Sequence, residues 1–438
     1  MKKFLKKILS YFLVYIGVTI IFLALIIGTY MLPNTRIRGH VAESIKVLKE
    51  ESEIDKPFFK TAGAILDTHT DSLILNIAMN KGMQESESDV KNAVENSFYE
   101  DSSKAGVSSL ENAISDGIIN NHEYSRYWHG IQVLIRPLLI FFNYSEIRYI
   151  LMVIIVLLIG ITFSMIGNQL GIKYSMAFAI TISLMYVILI PVSIQYSSIF
   201  LVMLGAMIGV MLLYKMKKEK YMPLVFFIIG GVATFFDLLT YPLVTLGIPL
   251  TLAVLLENKR DKDKKLLEQI IFIIKLGILW AIGYSLLFFT KWIIASIILN
   301  KDAITLAMEQ LVFRVNGSDA YPVNRLETIK KNFDIFFEPI ARYILLIITV
   351  IWVIMFTLYK KRNKDLKIVI PLICISIVPY IWYSAFAGHS SIHSWFTNKI
   401  QAMSIFAILS AMSYTINEKN IGKYIKKIKY GGKNENNK

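Results

Sequence analysis

SIFLVMLGAMIGVMLLY (198–214), KMKKEK (215–220) and YMPLVFFIIGGVATFFD (221–237) follow one another without interruption. Each apolar run is close to the ~20 residues a helix needs to cross ~30 Å of hydrocarbon. The lysines between them mark a turn on the side of a membrane that retains positive charge. The second run ends on Asp237, an acid that is costly at membrane depth unless it has a partner or lines a wet cavity. These forty residues therefore predict a helical hairpin in a bilayer, with lysine at one end and a carboxylate at the other.

The same grammar extends along the 438 residues. Apolar runs at 8–31, 147–167, 175–195, 198–214, 221–237, 241–257, 269–290, 340–358, 368–387 and 400–416 predict an all-α polytopic membrane protein of about ten transmembrane helices. The basic clusters at the N-terminus, Lys173, 215–220, 259–265, 360–364 and the tail then fall on one side, which predicts cytoplasmic termini in a cell membrane. Four regions follow: a short N-tail with a first anchor (1–31), an extracytoplasmic loop region (32–146), a multi-span region (147–416) and a basic tail (417–438). The opening Met1-Lys-Lys resembles a signal peptide, but the long apolar run without an A-x-A-like site reads as an uncleaved anchor. With 55% hydrophobic residues and a mean hydropathy of +0.53, a soluble globule is excluded for most of the chain. The net charge of +15 sits in short loops and the tail, where anionic lipid accounts for it, so nucleic acid is not an expected partner. The single Cys374 lies in an apolar run, forms no CxxC pattern and reads as a small core residue.

Reactive side chains collect on the side opposite the lysines. In the first outer loop, Phe58, Phe59, Ala62, Ile65, Leu66, Leu73, Ile74 and Ile77 recur at helical spacing. Asp67 and Asp71 lie within this pattern, four apart; on a helix they share a face, and two close carboxylates raise one pKa, as acid/base pairs and cation sites do. Residues 84–120 read as irregular or short exposed helices. Arg126 and His129 then precede 131–142, an apolar stretch too short to span that suits a helix lying in the interface. Their spacing points one way, toward a phosphate or carboxylate. Lys291 reads as the outer end of the 269–290 span, snorkelling or contacting a lipid phosphate. Arg314 and Arg325 lie in the second outer loop, and arginine's fork suits a diphosphate. His389 and His393 are four apart, but without an HExxH pattern they suit proton transfer or hydrogen bonding better than zinc. Trp395, Phe396 and Asn398 beside them offer a stacking surface and an amide. His40, Glu43 and His122 read as solvated loop residues.

The strings Leu66-Asp67-Thr-His-Thr-Asp71, Arg126-Tyr-Trp-His129, Phe236-Asp237-Leu-Leu-Thr-Tyr-Pro242 and His393-Ser-Trp-Phe396 are similar to those of polytopic proteins of Gram-positive bacteria. The single anchor, large acidic first loop and following spans resemble the C-superfamily of membrane glycosyltransferases (GT-C). That resemblance implies transfer of a sugar from a lipid-phosphate carrier during cell-envelope polysaccharide assembly. It implies that Asp67 acts as base or metal-associated carboxylate with Asp71 as partner, and that Arg126, His129, Asp237, Lys291, Arg314, His389 and His393 hold substrate. The expected partners are a lipid-linked sugar donor, a glycan or lipid acceptor and membrane lipids. A divalent metal stays open, because the acids here are not arranged as Asp-x-Asp. The competing expectation is a transporter or flippase of an envelope precursor, which predicts ionisable groups spread through the bundle interior.

Overall fold

A computed structural model describes residues 2–53, 61–80, 88–101, 106–115, 120–361 and 366–417. Helix α1 (Lys2–Tyr30) leads into smaller helices α2 (Asn34–Glu53), α3 (Thr68–Met79), α4 (Asp89–Glu95), α5 (Val107–Ser115) and α6 (Gln132–Leu139). A bundle follows: α7 (Tyr144–Leu170), α8 (Ile172–Leu184), α9 (Ile194–Lys215), α10 (Met222–Phe236), α11 (Val244–Arg260) and α12 (Leu266–Leu299). Helix α13 (Ala303–Asn316), a small hairpin β1–β2 (Gly317–Ser318, Tyr321–Pro322) and α14 (Arg325–Phe336) cap one end. The chain closes with α15 (Pro339–Tyr359), α16 (Val369–Ala385), α17 (Ala387–Ile392), α18 (Ser394–Thr397) and α19 (Gln401–Thr415).

Six of these helices are long and apolar enough to cross a membrane: α1, α7, α9, α10 with the turn before it, α12 and α15. Shorter helices occupy the other four apolar runs: α8 of 13 residues, α11 and α16 of 17 each, and α19 of 15. At 1.5 Å per residue, even 17 residues reach only about 25 Å. Their continuations at 185–193 and 386–400 break up into turns and helices of at most six residues, which membrane depth tolerates only where protein satisfies the backbone. Protein does so here: Ser197 Oγ donates to Ile190 O at 2.8 Å and Tyr383 Oη to Thr397 O at 2.9 Å. Helix α11 is buried from Val244 to Glu257 among α9, α12, α16 and α19. A helix enclosed by protein is apolar all round without facing lipid.

The basic clusters meet at one end of the bundle. Lys259 bonds Gln169 O at 2.6 Å, Lys173 bonds Ser413 O at 2.9 Å, and Arg260 lies 3.7 Å from Glu219. Lys7 and Lys264 both act on Lys275, which brings the start of α1 to the same end.

At the other end, α2 is a continuous helix that the loop reading of His40 and Glu43 missed. Ile37, Val41 and Leu48 form its buried stripe, while its charged residues face outward. Helices α4 and α5 are not simply exposed: Asn92 to Glu95, and Val107, Ser109, Leu110 and Ala113, are buried. Helix α4 packs against both α1 and α12. Helix α6 packs against α1, α2 and α3, with Arg136 buried, its Nε donating to Thr29 O at 3.0 Å and its guanidinium over the Tyr30 ring. Phe58 and Phe59 lie outside the described residues.

Two further expectations are corrected. Cys374 is exposed on α16 rather than a core residue; an apolar helix facing lipid carries a small thiol as readily as a core does. Lys291 does not end its span, because α12 runs on to Leu299. It is 2% exposed and donates to Val94 O at 2.6 Å, so it is pinned by α4 rather than snorkelling.

Candidate functional site

A cleft of about 430 Å³ lies among α12, α13, the end of α16 and the loops around 126 and 239, at the end opposite the lysines. Its walls are largely aromatic, with Trp280, Tyr284, Trp292 and Trp382 among them, and its polar edge is formed by Arg126 and Arg314. Both arginines stack on rings: Arg126 lies 4.3 Å from the Tyr124 centroid and Arg314 5.8 Å from that of Tyr127. Among the described residues, neither guanidinium has a carboxylate within ion-pair distance.

Arg314 is fixed by the close packing of α17 on α13. A Cβ on Gly388 would lie 2.3 Å from Phe313 O, so glycine is what lets the two elements meet. Arg314 Nη1 then reaches His389 Nδ1 at 2.7 Å, while His389 Nε2 reaches Leu239 O at 2.6 Å. Arginine can only donate, so Nδ1 accepts and the proton sits on Nε2, directed at Leu239. Burial, then Arg314 and His393, hold His389 well below the usual histidine range. It is a neutral strut between α13 and the 237–243 turn.

That turn is built on Asp237, the C-cap of α10. Asp237 Oδ1 accepts from Thr240 N at 2.8 Å and from the Thr240 hydroxyl, a side-chain turn that lets the chain reverse with Leu239 at φ 68°. Oδ2 is buried and makes no well-formed hydrogen bond, and the Tyr284 hydroxyl, which faces the same carboxylate, likewise lacks one. Burial pushes the Asp237 carboxyl up to about 6 against the hydrogen bonds from Thr240.

A polar group adjoins the cleft. Asp67 caps α3, accepting from Thr70 N at 3.1 Å and Thr70 Oγ1 at 2.7 Å, and also from the Trp395 side chain. Burial raises its pKa against those hydrogen bonds. His393 lies 5.1 Å from Trp395 and 4.8 Å from His389, ring centre to ring centre, and stacks on Phe396. Its Nδ1 is buried without a partner, and burial followed by Arg314 pushes it down to about 4. Contacts therefore run from Asp67 through Trp395, His393 and His389 to Arg314 and the Asp237 turn. His69 is exposed near His393.

The remaining candidates stand apart from this chain of contacts. Asp67 precedes α3 while Asp71 lies inside it, so they do not share a helical face as the four-residue spacing implied. Asp71 points at the start of α9, where its oxygens accept from Ile194 N and Gln195 N (2.9 Å each), Ser193 Oγ (3.1 Å) and Tyr144 Oη (2.6 Å). A carboxylate at a helix N-terminus satisfies orphan amides and meets the positive end of the helix dipole. Burial nonetheless pushes Asp71 up to about 6. His129 has φ 53° and its Nε2 lies 3.2 Å from Tyr124 O. Burial, then Lys291, pushes its pKa down to about 3. Gly130 beside it abuts Phe235, leaving no room for a Cβ. Among the described residues, no group of three His, Cys, Asp or Glu side chains is placed to hold a metal, and Asp67 and Asp71 do not form the close acid pair that their spacing predicted.

Two buried groups were not singled out from the sequence. Tyr284 reads as one more aromatic in an apolar run, and no local signal marks it. Lys399 follows Asn398 at the start of the last apolar run, which was a signal; it is fully buried and burial pushes it down to about 7.

No family model, curated protein or solved structure matches this chain. Fold and composition define it as an all-helical protein with several helices able to cross a membrane.

Proposed function

We propose that this protein is a membrane glycosyltransferase that takes a sugar from a lipid phosphate at the extracytoplasmic face of a bacterial membrane, for envelope glycan assembly. The observation that carries the reading is the polarity of the cleft. Its aromatic walls suit an isoprenoid chain, and its edge holds two arginines without acid partners among the described residues. Charge-assisted, forked contacts make arginine the natural holder of such a phosphate. His393, Asp67 and Trp395 next to Arg314 form a polar surface for the sugar. A ten-span topology with both termini in the cytoplasm fits the meeting, at one end, of Lys173, the 215–220 and 259–265 clusters and the start of α1. No step is drawn through a metal.

The test is a deletion strain complemented with wild type, Arg126→Ala or Arg314→Ala, followed by analysis of envelope glycans and lipid-linked intermediates. Deletion is expected to remove a sugar from the glycans and to accumulate its lipid-linked donor on the outer leaflet, with neither variant restoring it. A precursor accumulating on the inner leaflet instead identifies a flippase.

A further inference from the structure

Two acids lie close to the cleft, and they are used differently. Asp67 commits both oxygens: Oδ1 to Thr70 N, Oδ2 to Thr70 Oγ1, with the Trp395 side chain bonding the same carboxylate. Asp237 commits one. Its Oδ1 carries both bonds to Thr240, and its Oδ2 is left buried without a well-formed hydrogen bond. The Tyr284 hydroxyl faces this carboxylate but likewise makes no well-formed hydrogen bond, although a buried phenol ordinarily finds a partner. Asp237 is 1% exposed and Tyr284 7%. A well-formed bond withheld from a buried polar group costs up to about 1–3 kcal/mol, and a donor and an acceptor paired loosely at the wall of a cleft can each bond a ligand hydroxyl placed between them. Tyr284 and Leu239, from the Asp237 turn, both line the cleft. Trp280, a wall of the same cleft, stacks on Tyr284 with ring centres 4.9 Å apart.

We propose that Asp237 and Tyr284 form the acceptor-hydroxyl subsite of the cleft, with Asp237 Oδ2, rather than Asp67, taking the proton. This rests on the glycosyl-transfer reading above. The acceptor is a saccharide hydroxyl, which the aromatic walls can stack and the two oxygen atoms can hydrogen-bond. As its oxygen bonds to the anomeric carbon, the bond from that carbon to the lipid-phosphate oxygen breaks. The electron pair leaves with the phosphate, whose charge Arg126 and Arg314 hold, and the hydroxyl proton passes to Oδ2. Asp67 caps α3 and positions Trp395.

The experiment uses the full chain in nanodiscs and the complemented deletion strain together. Farnesyl phosphate is the binding probe, read by quenching of Trp280, Trp292 and Trp382. Asp237→Asn keeps the Oδ1 acceptor that holds the turn, so it is expected to bind the probe within about twofold of wild type. In cells it is expected to lower glycan transfer about 100-fold or more, as loss of a general base does. Tyr284→Phe is expected to bind the probe equally and to lower transfer about tenfold. Wild-type glycans with Asp237→Asn, or glycan loss with Asp67→Asn alone, overturn this assignment while leaving the transferase reading standing. Loss of probe binding by Asp237→Asn to the degree seen with Arg314→Ala also overturns it. A deletion strain with unchanged glycans, or a wild-type protein that does not bind the probe, removes the transferase reading and this inference with it.

Discussion

The two ends of the bundle use charge in opposite ways. At the lysine end, Glu257 is shared by Arg260, Lys264 and Tyr214, all within 2.6–2.9 Å. Lys259 and Lys173 close on carbonyls at helix ends. At the other end, Lys291 and Lys399 are buried against carbonyls and the rings of Trp128 and Tyr196, Arg126 and Arg314 face an apolar cleft, and Asp237 Oδ2 makes no well-formed hydrogen bond. The first pattern satisfies charge within the protein itself. The second is costly in an empty protein and becomes favourable when a ligand supplies the missing charge and hydrogen bonds.

That contrast can be broken most severely at Asp71, which belongs to the ligand-facing end but has the saturated chemistry of the other. Asp71→Ala strands the amides of Ile194 and Gln195 and the Tyr144 hydroxyl, and is expected to destabilise by about 3–5 kcal/mol. Thermal unfolding in detergent, or loss of folded protein from membranes, checks it. Next in size, Arg314→Ala is expected to weaken farnesyl phosphate binding at least about tenfold, since a hydrogen bond to a charged group contributes about 1.5–3 kcal/mol. Wild-type affinity in a titration would place the phosphate elsewhere.

A pH series sharpens the comparison further. Asp71 and Asp237 both have folded pKa values near 6, above the 3.8 of an unperturbed aspartate. The folded state therefore holds these protons more tightly than the unfolded one, and their contribution to stability grows as pH falls from about 7 to 4 and is flat below. The groups facing Asp237 are Thr240, Tyr127, Tyr241 and Tyr284, with Arg314 acting on the two phenols Tyr127 and Tyr284. Those facing Asp71 are Tyr144, Arg148 and the start of α9. Asp237→Asn is expected to flatten part of this rise in melting temperature. For the reaction the sign reverses: a base must be ionised, so transfer by wild type is expected to fall as pH drops through about 6. The smallest effect belongs to the lysine end. Arg260→Ala leaves Glu257 with Lys264 and Tyr214 and is expected to cost less than about 1 kcal/mol, measured by the same unfolding assay.

Much of the fold was legible because its signals are local. Run length marked every helix of the bundle, though the 175–195 run holds a helix of only 13 residues. The His389–His393 spacing likewise survives as touching rings. The misreadings share a cause. The spacing of Asp67 and Asp71 assumed a helix through both, whereas Asp67 is the cap, and one residue of boundary sends the two carboxylates in different directions. Lys291 and Cys374 were judged from position in a run, which says nothing about which side of a helix faces protein. Tyr284 has a hydroxyl whose importance depends on a neighbour 47 positions away in the chain.

The sequence by itself determined that this chain is helical and that its long helices are apolar enough for a bilayer. Hydrocarbon length and the cost of charge in lipid act on each segment separately, so composition suffices. Only the tertiary structure decided which polar atoms are spent and which are left over. Asp71 is consumed by α9, Asp67 by Thr70 and Trp395, and His389 by Arg314 and Leu239, while Asp237 keeps one oxygen. Hydrogen-bond saturation is a property of neighbours brought together by packing, and no single segment carries it.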